Sequence, residues 1–580
     1  MAVIKQMDEL LANKIAAGEV VERCASVVKE LVENSIDANS TEIKIELEEA
    51  GTKKIKVIDN GIGMDSDDAL MAFNRHATSK ILTEDDLYNI NTLGFRGEAL
   101  ASIAAVSKVE LKTCKDNIGT IVKIEGGKLK GTENSDGRIG TEITISNLFY
   151  NTPARLKHMK SLYTELASIT EYVNKIALSH PEIRFTLTNN GSNLLKTDGS
   201  NNLLKTIKEV YGIEVAKKML EIDASDNDYH IAGYVSLPEI HRSNRNGMVT
   251  LVNGRVVRNS ELNKVINDAY HSYKPDTRYP IVVINIDLDP SLVDVNIHPT
   301  KMDVKFSKFE ELKELVMETI KERIKNINLI PHIEEKEEIK VNSNLIDLSV
   351  LKEEPKKEVV VEQKITFEEE SFKTIKEEEN EYLKKKFPEL SIVGVVNGTY
   401  IVCQNEDGMY LIDQHAAKER INYEFYKKQL GNPNLEVTPM MFPLTIEYPV
   451  NEYIMIREHF DLLTNMGFDI EEFGINSIVI KAHPTWLPKG YENDAIKRIL
   501  EAVITFEDDF SIEKFNESIA TMMSCKLAIK ANEYVSIDEL EELLETLKNC
   551  ENPFNCPHGR PTMVFHSNYD LEKMFKRSGF

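Results

Sequence analysis

The sequence predicts a multidomain α+β protein, and three observations carry that reading. Its 580 residues exceed what one hydrophobic core can hold. Helical and strand-like apolar periods alternate at both ends of the chain. The composition also breaks sharply between 331 and 385, where EEKEEIKVNSN, LKEEPKKEVVVEQK and EEESFKTIKEEENE are rich in Glu and Lys and poor in aromatics. That stretch buries too little apolar surface to offset its ordering entropy, so it reads as a flexible acidic linker over 331–385. The rest has 42% apolar residues chain-wide behind it, enough for folded domains. They divide as 1–215, 216–330 and 386–580.

The elements follow from period and punctuation. SVVKELVENSIDA (26–38) sets Val27, Val28, Leu31, Val32 and Ile36 broadly on one side of a helix. TEIKIELEE (41–49) and KKIKVIDN (53–60) alternate like strands around the turn AGT. Further on, MVTLVNGRVV (248–257) and YPIVVINIDL (279–288) read as strands, with ELNKVINDAYHSY (261–273) helical between them. Strand, crossover helix and strand imply a βαβ unit, right-handed if the strands are parallel. In the last block GTYIVCQNEDGMYLID (398–413) reads as a hairpin around Glu406–Gly408, and SIDELEELLETLKNC (536–550) as a capped amphipathic helix.

Charge and cysteine usage limit the function classes. A net charge of −25 gives no overall attraction to DNA, so nucleic acid would have to be held by local basic patches, with strong salt dependence. The six cysteines (Cys24, Cys114, Cys403, Cys525, Cys550 and Cys556) are scattered and form no disulfide framework. The opening MAVIKQMDELLANKIAAGEV is unlike a signal peptide, and no run approaches the ~20 apolar residues of a membrane span. A soluble cytoplasmic protein without a membrane partner is expected.

A nucleotide site is legible near the start. Glu30, Asn34 and Asp37 stand at i, i+4 and i+7 on one helical face, as an ordinary solvated face would also arrange them. The strand KKIKVID then ends at Asp59 and runs into NGIGM, where Gly61 and Gly63 permit close backbone approach to a ligand. Asp59 can accept a hydrogen bond from an adenine amino group. In TLGFRGEALASI (92–103) a Gly-rich loop opens a helix and offers backbone N–H groups to phosphates. In this order the three segments resemble the GHKL ATPase group, which includes topoisomerase ATPase subunits, a heat-shock chaperone class, histidine kinases and the MutL mismatch-repair proteins.

Within that group the sequence most resembles MutL. The segments are IAAGEVVERCASVVKELVENSIDA (15–38), FNRHATSK (73–80), LGFRGEALASI (93–103), LFYNTPARLK (148–157), VNGR (252–255) and DVNIHPTKMDVKF (294–306), with Cys24 where that family usually has proline. The resemblance implies a GHKL-type ATPase sandwich followed by an S5-like βαβ domain, with ATP and Mg²⁺ as cofactors. By it, Glu30 would be the general base activating water, and Asn34 would hold Mg²⁺. Asp37 would belong to the same site, and Asp59 would read adenine. Gly94, Phe95, Arg96 and Gly97 would form the phosphate lid, beside Thr78, Ser79 and Lys80. Gly140 and Thr141 would sit near Asp59, and Lys301 of the second domain would sense the γ-phosphate. In the family, ATP binding closes the lid and dimerises the N-terminal blocks. Arg242, Arg245, Arg255 and Arg258 could line a DNA-enclosing ring, though each could equally be an ordinary surface arginine.

The C-terminal block carries a second cluster, DQHAAKERINYE (413–424). His415 and Glu419 share a helical face at i, i+4, a geometry suited to two ligands of one ion. Asp413 can cap the helix or join as a third ligand, and Glu424 lies about 140° round from Glu419. Taken alone, a capped, solvated helix explains this as well. TMMSCKLAIKANE adds Cys525, and NCPHGRPT adds Cys556 and His558 on a turn. Carboxylate, imidazole and thiolate donors together suit Zn²⁺ or Mn²⁺, and two ions could clamp a phosphodiester. These segments resemble the endonuclease-bearing MutL branch, with Ser524 in place of the usual alanine and MFKR (574–577) like its terminal element. The resemblance implies an α/β C-terminal dimerisation and endonuclease domain that nicks one DNA strand, with Asp413, His415 and Glu419 catalytic. It also implies a homodimer, a mismatch-recognition partner of the MutS type and the replication sliding clamp. The clamp-binding segment would be TPMMFPLT (438–445), where Thr438 replaces the expected Gln. Two other readings stay open: a non-cutting ATP-dependent matchmaker, and a topoisomerase-like ATPase subunit.

Overall fold

The computed structural model describes residues 21–80, 93–94, 97–116, 118–271, 273–274, 278–294, 304–325, 387–431, 436–505, 511–526, 535–575 and 577. The linker expected over 331–385 lies outside the described residues, as do Phe95, Arg96 and Lys301. The chain forms two compact units: Met1–Asn326 with Tyr426–Ala520, and Ile327–Phe425 with Thr521–Phe580.

In the first unit the expected helix is α1, Cys24–Asp37, which buries Val27, Val28, Leu31 and Val32. The two alternating segments are β1, Glu42–Glu48, and β2, Lys54–Asp59, paired antiparallel. β1 buries Ile43, Ile45 and Leu47 and turns Lys44 and Glu46 outward, as a half-covered strand should. The Gly-rich loop opens α2, Ala99–Val106. Then come β3, Lys108–Cys114, β4, Gly119–Glu125, β5, Lys128–Ser135, and β6, Gly140–Ser146. The long helix α3, Leu162–Ser179, is followed by β7, Arg184–Asn189, and β8, Ser192–Lys196. These strands make one sheet in the order β5-β4-β3-β6-β2-β1-β7-β8, and α1 packs against β2 and α3. The strand order sets β6 beside β2, which brings Gly140 and Thr141 to the end of β2 where Asp59 sits.

A five-stranded sheet follows. Its strands are β9, Met219–Ser225, β10, Tyr229–Ser236, β11, Met248–Val252, β12, Arg255–Val257, and β13, Val282–Leu288, in the order β12-β11-β13-β10-β9. MVTLVNGRVV is therefore two strands. Asn253 (φ 48°) and Gly254 (φ 78°) both enter the left-handed region, and the Asn-Gly pair folds the segment into a hairpin. The βαβ expectation holds for its first half: β11 pairs in parallel with β13, and α4, Ser260–Ala269, lies between them in sequence. Leu262, Val265 and Ile266 of α4 share a core with Leu312, Val316, Ile320 and Ile324 of α5, Phe309–Lys325.

The chain then supplies β14, Ser391–Val396, β15, Tyr400–Gln404, β16, Gly408–Asp413, and the helix α6, Gln414–Gly431. The hairpin around Glu406–Gly408 is the β15–β16 connection. The next stretch belongs to the first unit. It holds β17, Val437–Glu447, α7, Val450–Glu458, β18, Asp469–Glu472, β19, Ser477–Pro484, and α8, Glu492–Thr505. β17 is an edge strand of the sheet β17-β19-β18, and its pairing breaks between Pro439 and Leu444. In that break Met441 and Phe442 are 90% and 80% exposed, so this edge does not face the core. The chain closes with α9, Ile512–Lys526, α10, Ile537–Lys548, β20, Met563–Ser567, and α11, Asn568–Met574. α10 starts at the expected cap, a capping box of Ser536 and Glu539. In the second unit the antiparallel sheet β14-β15-β16-β20 buries Ile401, Cys403 and Ile412 against Leu540, Leu543, Leu544 and Leu547 of α10. Its opposite face carries Val396, Tyr400, Val402, Leu411 and Val564 in register, all exposed or half-buried.

Candidate functional sites: a nucleotide pocket and a metal-ligand cluster

At the end of β2 the Asp59 carboxylate is buried and hydrogen-bonded at both oxygens. Gly61 N–H (2.9 Å) and Thr141 N–H (3.1 Å) donate to Oδ1, and the Ser35 hydroxyl donates to Oδ2 at 2.8 Å. Burial pushes its pKa up, and these hydrogen bonds only partly offset that. Around it, two glycines allow backbone segments to approach more closely than any side chain would permit. A Cβ on Gly140 would stand 2.3 Å from the Asp59 carbonyl oxygen. Gly63, at φ +65°, would set one 2.0 Å from the Cys114 carbonyl oxygen. Thr141 also meets Thr113 (3.1 Å), whose hydroxyl accepts from Met64 N–H at 2.9 Å. Ser35 and Thr113 were not legible as site residues. Ser35 faces inward beside Asn34, one residue off the polar face, and only the sheet order brings Thr113 to Thr141.

On the polar face of α1, Glu30 and Asn34 are half-buried. Lys80 Nζ donates to Asn34 Oδ1 at 3.1 Å and pairs with Asp37. Leu93 N–H and Gly94 N–H donate to the two oxygens of Asp37 at 2.9 and 3.0 Å. Asp37 thus ties one end of the Gly-rich loop to α1. Gly97 (φ +63°) accepts the His76 N–H at 3.0 Å, which ties the other end to the segment carrying Thr78, Ser79 and Lys80. Tyr172 of α3 lies under the same face. Burial first, then the carboxylates of Glu33, Glu30 and Asp37, raise its pKa well above the usual phenol value. Arg255 turns toward Glu33 and Asp37, whereas Arg245 and Arg258 line a cavity elsewhere in the unit.

The second cluster is assembled from positions far apart in sequence. Asp413 ends β16 and caps α6, its Oδ1 accepting the N–H groups of His415 (2.9 Å) and Ala416 (3.1 Å). One turn along, Glu419 is buried; His415 Nε2 is 3.2 Å from its Oε1 and His558 Nδ1 3.3 Å from its Oε2. The ligand atoms of Glu419, Cys556 and His558 lie within 4.8 Å of one another. Burial raises the Glu419 pKa, but hydrogen bonds from Cys556 and His558 and the charge of His415 and His558 more than offset it, leaving it below the ordinary value. Cys525 is on α9, but its side chain lies outside the described residues.

The turn presenting Cys556 and His558 is held rigidly. Cys556 N–H donates to Arg560 O at 2.8 Å and Gly559 N–H to Cys556 O at 3.0 Å. From α6, the Arg420 side chain donates to Asn555 O at 2.5 Å, and Glu424 accepts the N–H groups of Glu551 (2.7 Å) and Asn552 (3.2 Å). Glu424 therefore faces the loop and not the ligand cluster, in keeping with its angle on the helix. Arg420 and its contact to Asn555 were not legible, because the loop it grips comes from the far end of the chain.

Three family models match the chain. One for histidine kinase-, DNA gyrase B- and HSP90-like ATPases covers residues 22–146. One described as a DNA mismatch repair protein, C-terminal domain, covers 207–325. One for the MutL C-terminal dimerisation domain covers 393–535. The chain is 47% identical to the DNA mismatch repair protein MutL of Geobacillus sp. (strain WCH70) over the full length of both. It is 44% identical to that of Listeria monocytogenes serotype 4b (strain CLIP80459) over 99% of each. Among solved structures, the Aquifex aeolicus MutL ATPase domain complexed with ADP matches at 26% identity and TM-score 0.38, over 51% of this chain and 98% of that one.

Proposed function

Because the chain belongs to the MutL family of DNA mismatch-repair proteins, with a GHKL-type ATPase domain and a C-terminal dimerisation domain, we propose that it is an ATP-switched homodimer that nicks one DNA strand at a metal site. The observation that carries the nicking is the convergence of Glu419, Cys556 and His558 from 139 residues apart. A buried carboxylate, a thiolate and an imidazole within reach of one another form a donor set that fits Zn²⁺, with Mn²⁺ the second candidate. Glu419, Cys556 and His558 would hold the ion, with His415 beside Glu419, and Cys525 as a further ligand. A bound ion supplies charge neutralisation at a phosphodiester and an acidified water. This chain's own contribution is to fix the donors. Asp413 sets the start of α6, so that His415 and Glu419 face one way, and Arg420 and Glu424 pin the loop that brings Cys556 and His558.

The N-terminal pocket reads as the switch. The buried Asp59 acceptor, in the tight backbone frame that Gly63 and Gly140 permit, fits an adenine, whose amino group would donate to the carboxylate. Asn34 would hold Mg²⁺ against the phosphates, and Glu30 would take the proton of the attacking water. Lys80, Gly94, Phe95, Arg96 and Gly97 would engage the phosphates, with Thr78 and Ser79 alongside. Asp37 would release Lys80 and the Leu93–Gly94 backbone as they do so. Lys301 would report the γ-phosphate from the second domain.

The apolar sheet face of Val396, Tyr400, Val402, Leu411 and Val564 supports the homodimer. Met441 and Phe442, lifted out of the β17 ladder, support docking of the sliding clamp despite Thr438. DNA and a MutS-type mismatch-recognition protein complete the partners. Among the described residues no helix is long and apolar enough to cross a membrane, and a cytoplasmic location suits this role.

The test is nicking of supercoiled plasmid with Mn²⁺, comparing the intact protein with Glu419→Lys. Relaxed circles from the intact protein alone support the nuclease. If neither protein cuts while bound zinc is retained, the cluster is structural and the matchmaker reading takes over.

A further inference from the structure

The stretch from β17 to α8 belongs to the same compact unit as the N-terminal half. α7 packs along α3, and Asn174 Nδ2 donates to Asn451 Oδ1 at 3.3 Å. The chemistry of this seam is acid on base. Arg278 pairs with Glu501 of α8, the two side chains only 12% and 24% exposed. Glu452 of α7 is 5% exposed and lies with Arg242 close to Tyr211 and Tyr448. Glu447 lies over the backbone of Gly212, its carboxyl carbon 3.1 Å from where a Cβ would stand. Beside the seam a cavity of about 540 Å³ is walled by Arg23, Lys160, Arg245 and Arg258 from the N-terminal half and by Glu452 and Met455 from α7.

In a chain of net charge −25, this is where arginines collect, and carboxylates of its own C-terminal part cover them. Duplex DNA presents about one negative charge per 1.7 Å of axis. Arg278 cannot serve both Glu501 and a row of phosphates, because an ion pair this dry leaves no open side on the guanidinium, and Glu452 stands at the cavity that Arg23, Arg245 and Arg258 wall. We propose that residues 437–505 act as a built-in competitor of DNA: Glu452 and Glu501 hold the arginine surface of the N-terminal half closed, and DNA phosphates displace them. The inference rests on the reading that this chain binds DNA. It adds that DNA binding undocks this stretch, including the Met441–Phe442 segment, from the ATPase half.

The experiment uses the full chain carrying Asn174→Cys and Asn451→Cys, with each single variant as control. A short bis-maleimide joins the two positions when the seam is closed, and non-reducing peptide mapping reads the yield. Duplex binding is followed in parallel by mobility shift. Crosslinking without DNA that falls as the duplex saturates the protein, and returns after the DNA is digested, is the expected result. Glu501→Ala should bind duplex about tenfold more tightly, since less of the population is closed, with unchanged ATP affinity. Bound DNA with a constant crosslink, a crosslink that never forms, or unchanged DNA affinity in Glu501→Ala overturns this inference alone. Failure of every variant to bind DNA overturns the DNA reading and this inference with it.

Discussion

Replacing Asp59 by asparagine separates the ligand's hydrogen bond from the fold's. In the wild-type pocket Oδ1 accepts from Gly61 and Thr141 N–H, and Oδ2 accepts from the Ser35 hydroxyl. The Asp59→Asn side chain keeps Oδ1 and both backbone donors. Its amide group replaces Oδ2, and Ser35 can accept from it, because Leu31 O at 3.1 Å is an alternative acceptor for the one hydroxyl proton. A buried charge is removed, so the fold should lose little. The adenine amino group, however, would now meet a donor. Losing a hydrogen bond to a charged acceptor costs about 1.5–3 kcal/mol, and leaving a donor unsatisfied costs about 1–3 kcal/mol. A weakening of about 3 kcal/mol or more corresponds to roughly two orders of magnitude in Kd. Calorimetric titration with a non-hydrolysable ATP analogue, alongside a thermal melt, reads both. Affinity within about threefold of wild type, with Tm preserved, would refute the adenine role of Asp59.

Glu30→Ala should bind ATP normally and hydrolyse it about 10²- to 10⁴-fold more slowly; normal turnover in a phosphate-release assay would remove Glu30 as the base. Glu424→Gln removes no ligand but loosens the loop at Glu551 and Asn552. It should lower zinc affinity about 10- to 100-fold, read by competition with a chromogenic chelator, and unchanged affinity would make the loop rigid without it. Burial pushes the thiols of Cys24 and Cys550 up to about 12 and of Cys403 up to about 11. These three should resist a disulfide reagent at pH ~8 until the chain is denatured. Because the folded pKa values are raised, their share of stability should be whole at neutral pH and fall as pH climbs above the ordinary thiol range.

Residues 24–63 show what sequence alone determined. The 3.6-residue period set Glu30, Asn34 and Asp37 on one face of α1, and alternation carried β2 to Asp59, because both patterns are local properties of the backbone. The hairpin of 398–413 and the capped helix α10 were legible for the same reason. VNGR was harder. Its apolar run reads as one strand, and the Asn-Gly turn splits it in two. The rest depends on packing between elements far apart in sequence. The order of the eight-stranded sheet brings Thr141 to Asp59, and a hydrogen bond pins the Gly-rich loop to Asp37 across 57 residues. Glu419 gains Cys556 and His558 through a turn that Arg420 and Glu424 grip from α6. Nor does any local pattern say that residues 437–505 join the N-terminal half, or that Glu501 finds Arg278. Periodicity fixes which way a side chain faces along its own element. Which distant charge it meets depends on the global packing that buries both.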